Sequence, residues 1–198
     1  MSNLFSNMVG AVMVLYAVEV LAMNPFLIGA MFALGSVGSL LAAVIAPRLS
    51  IFLRVGWLIV LSAAVFSLGG LLFLLATSPS SGVFMILGFF SWAAGGVVYN
   101  INQVSYRQAL VPVRLQGRLN ATIRFIVWGV MPVGSLTGGA IGQAFGLYPA
   151  IAVGVVGGAF SFLWVLFSPV RNVQSIPTSP EVGVVRERGN QTAEEMSR

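Results

Sequence analysis

The chain has 198 residues, of which 58% are hydrophobic and only 8% are charged, and its formal net charge is +5. Soluble domains contain about 25% charged residues, so this composition excludes a water-soluble globular domain. All ten basic residues are arginine, and most of them lie between apolar runs or in the tail instead of forming a stripe. This distribution argues against a nucleic-acid partner.

The residue types on which most catalytic sites depend are missing. Cysteine, histidine, aspartate and lysine are all absent, which excludes disulfides, thiolate and imidazole chemistry and the usual zinc ligands. Four of the five glutamates lie in the polar tail, so the hydrophobic body offers no pair of carboxylates for acid–base catalysis. We therefore expect neither enzymatic activity nor a cofactor nor a metal site.

Six apolar segments are long enough to cross a membrane, since about 20 residues of helix span the hydrocarbon layer. In chain order they are Leu4 to Leu21, Phe26 to Ala46, Gly56 to Thr77, Gly82 to Ile101, Ala121 to Gln143 and Leu147 to Phe167. Three of the breaks are uncharged turns, at Asn24 and Pro25, at Ser78 to Ser81 and at Gly146 to Pro149. The sequence therefore predicts an all-α membrane protein with six transmembrane helices.

The other two connections, Pro47 to Val55 and Asn102 to Asn120, carry arginine. The residues concerned are Arg48, Arg54, Arg107, Arg114 and Arg118. Basic loops stay in the cytoplasm during membrane insertion. Their alternation with neutral loops therefore predicts that both termini and both arginine connections are cytoplasmic.

The composition changes near residue 170. Residues 1–170 form the predicted six-helix domain, whereas residues 171–198 contain few apolar side chains and predict a disordered cytoplasmic tail. At the other end, the first apolar run begins within four residues of Met1 with no basic residue before it. That start suggests a helix once preceded by more protein.

Small residues recur at intervals of four, the spacing at which helices approach closely in lipid. They form three groups: Gly134, Gly138 and Gly142 with Gly139 beside them, Gly154 and Gly158, and Gly38, Ala42 and Ala46. Ordinary helix packing explains them, and a moving interface between two halves is the alternative. Pro132 removes one helical hydrogen bond and predicts a kink or local unwinding near Met131, either as a hinge or as a structural bend.

Polar and aromatic residues within the apolar segments are candidates for lining a substrate path, because such groups usually face the protein interior. The candidates are Asn7, Tyr16, Glu19, Trp92, Tyr99, Asn100, Arg124 and Trp128. Interfacial aromatic belts and helix contacts explain the tryptophans equally well. Glu19 lies near a helix end, so a solvated carboxylate is the alternative to a proton or cation site.

The stretch from Tyr106 to Gly139 resembles the tenth-to-eleventh helix region of major facilitator superfamily exporters, in the branch of enterobactin-exporter-like and macrolide-efflux-like proteins. The matching residues of the cytoplasmic connection are Arg107, Gln108, Pro112, Gly117, Arg118, Asn120 and Arg124, and those of the glycine-rich helix are Gly129, Pro132, Gly134, Gly138 and Gly139. An earlier match to the eighth helix and its loop comprises Gly35, Gly38, Pro47, Arg48, Arg54 and Gly56. The loop lacks the acidic residue of the family's full signature.

The resemblance covers about residues 4 to 170 and implies helices seven to twelve of a twelve-helix transporter, a half built as a 3+3 inverted repeat. It implies a proton-driven exporter of amphipathic small molecules, of the drug or siderophore type, in the bacterial plasma membrane. Substrate would bind between two halves that rock alternately, with the first, second, fourth and fifth helices facing the cavity and the third and sixth facing lipid. An amino-terminal six-helix half would then be the partner, besides lipid and the small-molecule substrate.

Two other hypotheses remain open. The chain could be a non-transporting fragment or a membrane assembly module that packs on other helices. A six-helix channel is the third hypothesis, although the single Asn24-Pro25 pair lacks the paired half-helices of a water channel and no carbonyl filter sequence is present.

Overall fold

The structure is a computed structural model that describes residues 2–78 and 81–167, and within these residues it consists of helices and turns alone. The predicted tail at residues 171–198 lies outside the described residues. The prediction of an all-α chain with six helices is confirmed. The helices are α1 (Ser2–Glu19), α2 (Pro25–Phe52), α3 (Val55–Leu75), α4 (Gly82–Ala109), α5 (Val113–Phe145) and α6 (Leu147–Phe167).

Five of these helices, α2 to α6, are long and apolar enough to cross a membrane. Helix α1 is the exception in the described part of the chain, because its 18 residues include Asn3 and Asn7 near one end and Glu19 at the other. It also has a well-buried face, on which Met13 and Tyr16 are almost completely covered by other helices. A helix sheltered by its neighbours needs a less apolar surface than one surrounded by lipid.

The two arginine connections are much shorter than the hydropathy pattern predicts. Helix α2 continues through Pro47, α4 extends to Ala109 and α5 begins at Val113, which leaves connections of residues 53–54 and 110–112 only. The prediction was wrong because hydropathy detects where apolar side chains end, whereas backbone hydrogen bonds continue through polar ones. Four of the predicted loop residues therefore lie on helices and only Arg54 lies in a connection; the four are Arg48, Arg107, Arg114 and Arg118.

Two of the three uncharged turns show how their sequence signals act, and residues 79–80 of the third lie outside the described residues. Asn24 caps α2, its side-chain oxygen accepting a hydrogen bond from the backbone N–H of Leu27 at 2.8 Å, and Pro25 opens the helix. Between α5 and α6, Gly146 adopts φ 98° and ψ 162°, a conformation that only glycine adopts readily. These turns allow successive helices to run in opposite directions.

Helices α1 and α4 each pack on two other helices. Helix α1 packs on α5 and α6, α4 packs on α2 and α3, and α3 also contacts α6. We name the end of the bundle with the connections 53–54 and 110–112 the arginine end, and the opposite end the neutral end. The buried core lies mainly toward the neutral end, where Tyr16, Phe73, Met85 and Ile151 are almost inaccessible to solvent.

Two of the predicted glycines bring α1 and α5 into backbone contact. A Cβ atom added at Gly134 would collide with the carbonyl oxygen of Leu4, and one added at Gly138 would collide with that of Met8. A Cβ atom added at Gly142 would lie 3.3 Å from the side chain of Val12, whereas one added at Gly139 would meet no atom within 4 Å. The motif therefore packs along one face only.

The remaining small-residue predictions have mixed outcomes. Gly38 lies against Phe90 and Gly154 against Val9, whereas Gly158 barely reaches another side chain. Helix α5 runs without interruption through Pro132, so no local unwinding accompanies the proline. The spacing rule missed the close backbone approach of α3 and α4, which occurs at three glycines: Gly69, Gly88 and Gly95.

Candidate functional site

A cavity of about 730 Å³ occupies the arginine end of the bundle. Its walls come from α1, α3, α4, α5 and α6, and α2 contributes none of the lining residues. Helices α4 and α5 separate from each other beyond their short turn and supply most of the wall. The lining residues that are exposed, and so mark the opening, are Asn3, Asn100, Arg124 and Trp128.

Aromatic rings close the cavity toward the neutral end. Trp92 stacks on Phe66 with 5.3 Å between ring centroids, and it meets Phe73 edge to face at 6.4 Å. Trp92 lines the cavity on one side and packs against the buried core on the other. The cavity is therefore separated from the neutral end by packed side chains.

The wall near the α4–α5 turn is polar. The guanidinium of Arg107 donates from Nη2 to the side-chain oxygen of Asn120 at 3.3 Å. Gln116 stabilises the turn itself, because its amide donates to the carbonyl oxygens of Gln108 at 2.9 Å and Val111 at 3.1 Å. Asn100 and Gln103 add further amides from α4.

The cavity is positively charged without a compensating acid. Arg107 and Arg124 both line it, and Glu19 is the single carboxylate side chain among residues 2–78 and 81–167. Glu19 ends α1 at the neutral end, sixteen residues beyond the cavity residue Asn3, or about 24 Å along a helix. The same described residues contain no group of three or more His, Cys, Asp or Glu side chains that could hold a metal ion.

Five of the eight predicted path residues line this cavity: Trp92, Tyr99, Asn100, Arg124 and Trp128. The other three lie elsewhere. Asn7 donates to the carbonyl oxygen of Asn3 along its own helix, and Glu19 is exposed at the end of α1. Tyr16 is buried at the neutral end, where its hydroxyl donates to the carbonyl oxygen of Ala76.

Of the five arginines predicted at the cytoplasmic connections, only Arg107 reaches the cavity. The other four are exposed around the arginine end and do not line it: Arg48, Arg54, Arg114 and Arg118. Their guanidinium groups remain close to the end of the bundle where the sequence placed positive charge.

The cavity also includes side chains that the sequence did not single out. Phe66 and Ser67 come from α3, and Ser161 and Phe162 come from α6. The family resemblance implied that these two helices face lipid and that α2 faces the cavity, so this cavity differs from the implied arrangement. The isolated serines in these two otherwise apolar helices are the sequence signal that could have indicated a cavity wall.

Comparisons of the chain with protein-family models, with curated proteins and with solved structures found no match. The resemblance to major facilitator exporters therefore rests on the residues quoted above and stays a prediction. The geometry of the arginine-end cavity provides the independent basis for a functional proposal.

Proposed function

We propose that this chain is a transmembrane transport protein, one six-helix half of a major-facilitator-type exporter that moves amphipathic small molecules by alternating access, driven by a proton gradient. The observation that carries the proposal is the cavity. It has the volume of a small-molecule site, a wall of amides, guanidiniums and aromatic rings, and a packed core between it and the neutral end. A site open toward one end and closed toward the other is what alternating access requires of each state.

The helix packing supports a 3+3 repeat. In a 3+3 repeat, α1, α2 and α3 correspond to α4, α5 and α6. The contacts of α1 with α5 and α6 then correspond to those of α4 with α2 and α3, and the α3–α6 contact corresponds to itself. The close contacts of two glycines show the same correspondence, because Gly134 of α5 lies against α1 and Gly38 of α2 lies against α4. Both glycines stand in the same tetrapeptide, Val-Gly-Ser-Leu, at residues 37–40 and 133–136.

The outer surface supports placement in a membrane. Large apolar side chains point outward along the bundle, with Phe26 80%, Phe125 82% and Trp164 76% exposed, and soluble monomers rarely expose apolar patches on this scale. Lipid would cover these side chains. The cluster of arginines at one end favours that end as the cytoplasmic one, so the cavity would open to the cytoplasm of a bacterial cell, with α1 as the sixth span.

A second half is part of the proposal because six helices form only one wall of a substrate site in this family. The exposed face of α5 next to the cavity opening, which includes Phe125, Ile126 and Trp128, is where an amino-terminal six-helix half would complete the site. The same exposed face would also suit an assembly module that packs on other helices, so the experiment has to separate transport from packing.

Efflux measured in bacterial cells tests the proposal. The chain is expressed alone and together with an amino-terminal six-helix half, and cells are loaded in turn with an anionic, a neutral and a cationic fluorescent amphiphile. We expect energy-dependent efflux of at least one dye from the paired cells only, and loss of that efflux when a protonophore collapses the proton gradient.

A pair of glycine variants links the efflux to the cavity. Gly96 lines the cavity, whereas Gly29, on α2, has no other group within 4 Å of its Cβ position and does not line it. Gly96→Trp should fill the cavity and abolish efflux, and Gly29→Trp should leave it unchanged. Efflux by the six-helix chain alone, or a stable pair that exports none of the three dyes, would contradict the proposal and favour the assembly module.

A further inference from the structure

We infer that the arginine-end cavity binds an organic anion, a molecule with an apolar or aromatic body and a carboxylate, phosphate or sulfonate group held between Arg107 and Arg124. The inference rests on the proposed function, because it names the substrate class of the same cavity. Four features of the cavity lead to it: its uncompensated charge, the unused donors of Arg107, the position of Arg124 and the aromatic wall.

The charge imbalance favours an anionic ligand. Two guanidinium groups share a cavity to which the described residues contribute no carboxylate, and the one carboxylate of those residues is at the neutral end. Arginine remains protonated in proteins. The two like charges repel each other across a partly closed space of reduced polarity, so an anion between them is stabilised and a cation is rejected.

Arg107 has hydrogen-bonding capacity that the described residues do not use. Its Nε atom is buried and has no partner among them, and its one side-chain hydrogen bond goes to Asn120. A guanidinium carries five N–H donors in a planar fork that matches two oxygens of a carboxylate, phosphate or sulfonate. Leaving such a group buried without an acceptor is unfavourable, so a ligand oxygen would relieve the cost.

Arg124 approaches the same cavity from the other long helix. It lies on α5, whereas Arg107 lies on α4, and within the described residues its guanidinium makes no hydrogen bond or ion pair. Arg124 is exposed and lies about 17 Å along α5 from its first residue, Val113, whereas Arg107 is two residues from the end of α4. The two residues therefore offer cations at two depths of the cavity.

The rest of the wall selects for an amphipathic body. Phe66, Trp92, Trp128 and Phe162 provide aromatic surface, and Asn100 and Gln103 provide amides that can orient a polar substituent. A volume of about 730 Å³ lies in the range of drug-sized ligand sites. An inorganic anion would leave this aromatic surface uncovered, which favours an organic one.

Two fluorescent probes test the charge preference on the purified full chain in a non-ionic detergent. 8-Anilinonaphthalene-1-sulfonate and N-phenyl-1-naphthylamine share the same anilinonaphthalene body and differ in the sulfonate. Energy transfer from tryptophan reports binding, because Trp92 and Trp128 line the cavity. For the sulfonate probe we expect Arg124→Gln and Arg107→Gln each to weaken binding about tenfold, the effect of losing one charge-assisted hydrogen bond. Affinity for the neutral probe should not change.

Control variants at arginines outside the cavity test whether the loss of binding is specific to the cavity. Arg48→Gln and Arg114→Gln remove the same charge at the same end of the bundle but do not line the cavity, and they should alter sulfonate binding less than twofold. Since Arg124 makes no hydrogen bond within the described residues, Arg124→Gln should fold normally even if Arg107→Gln does not. Equal affinity of Arg124→Gln and the parent chain for the sulfonate probe, or an equal loss for the neutral probe, would overturn the inference.

A third arm identifies the source of the anion, which could be a solute or a lipid headgroup. Phosphatidylglycerol is added to the micelles, with phosphatidylcholine as the control. Displacement of the sulfonate probe by phosphatidylglycerol alone assigns the site to lipid, and no displacement assigns it to a solute; either result retains the anion site. Absence of efflux for every dye would overturn the transport proposal and leave the anion inference intact. Probe binding without a charge preference would overturn the anion inference and leave the transport proposal intact.

Discussion

At the residue scale, Tyr16 shows that a polar group inside an apolar helix can serve packing instead of a substrate path. Its ring is completely buried in the core, and its hydroxyl donates to the carbonyl oxygen of Ala76 just beyond the end of α3. Tyr148 of α6 makes a longer contact of the same kind, 3.3 Å to the carbonyl oxygen of Leu74. Both tyrosines tie the end of α3 to other helices at the neutral end.

We expect Tyr16→Phe to lower the free energy of unfolding by about 1–3 kcal/mol, because the buried carbonyl of Ala76 loses its side-chain donor and the ring size is unchanged. Tyr148→Phe is the matched control. Tyr148 is 40% exposed, so water can replace its hydroxyl, and the loss should stay within about 0.5 kcal/mol. Unfolding of the detergent-solubilised protein, followed by circular dichroism, measures both. Equal losses would show that the Tyr16 hydroxyl does not stabilise the neutral end.

At the element scale, hydropathy predicted the existence and order of all six helices but not their ends. Polar stretches 102–109 and 114–120 continue α4 and α5 because helical hydrogen bonds do not depend on side-chain polarity. The interval of four also predicted the α1–α5 approach through Gly134 and Gly138. It missed Gly88 and Gly95, which are seven residues apart, and it included Gly139, which points away from the contact.

The α1–α5 contact gives a prediction with two adjacent glycines. Gly138→Ala places a Cβ atom against the backbone of Met8, so the two helices must separate, and we expect a loss of about 1–3 kcal/mol in unfolding free energy. Gly139→Ala meets no atom within 4 Å and should be neutral or stabilising by about 0.5–1 kcal/mol, because alanine favours the helix. Thermal unfolding of the two variants side by side measures the difference. Similar midpoints would contradict the close approach of α1 and α5.

At the scale of the whole molecule, the sequence could not predict which helices surround the cavity. Phe66 and Phe162 lie on helices that are apolar all round, so their periodicity does not distinguish a cavity face from a lipid face. The polar and aromatic residues within α4 and α5 did give such a signal, and Trp92, Tyr99 and Trp128 were predicted from it. Neighbour relations among helices depend on shape and close approach, which a single sequence does not encode in its hydropathy.

Topology is the prediction that tests the whole arrangement, and the absence of cysteine makes the test direct, because each single-cysteine variant has one labelling site. Leu110→Cys lies in the α4–α5 turn at the arginine end, and Thr77→Cys follows α3 at the neutral end; both positions are exposed. We expect a membrane-impermeant maleimide to label Thr77→Cys in intact cells and Leu110→Cys only after permeabilisation, since arginine-rich ends remain in the cytoplasm.

Helix α1 is the decisive case, because its hydropathy alone does not mark it as a membrane span. Its parallel packing on α5, through Leu4 with Gly134 and Met8 with Gly138, requires that it cross the bundle in the same direction as α5. Ala22→Cys, just beyond α1, should therefore be labelled from outside like Thr77→Cys, and Asn3→Cys should be protected like Leu110→Cys. Labelling of positions 3 and 22 from the same side would mean that α1 does not cross, and the cavity wall built by its first turns would then be lost.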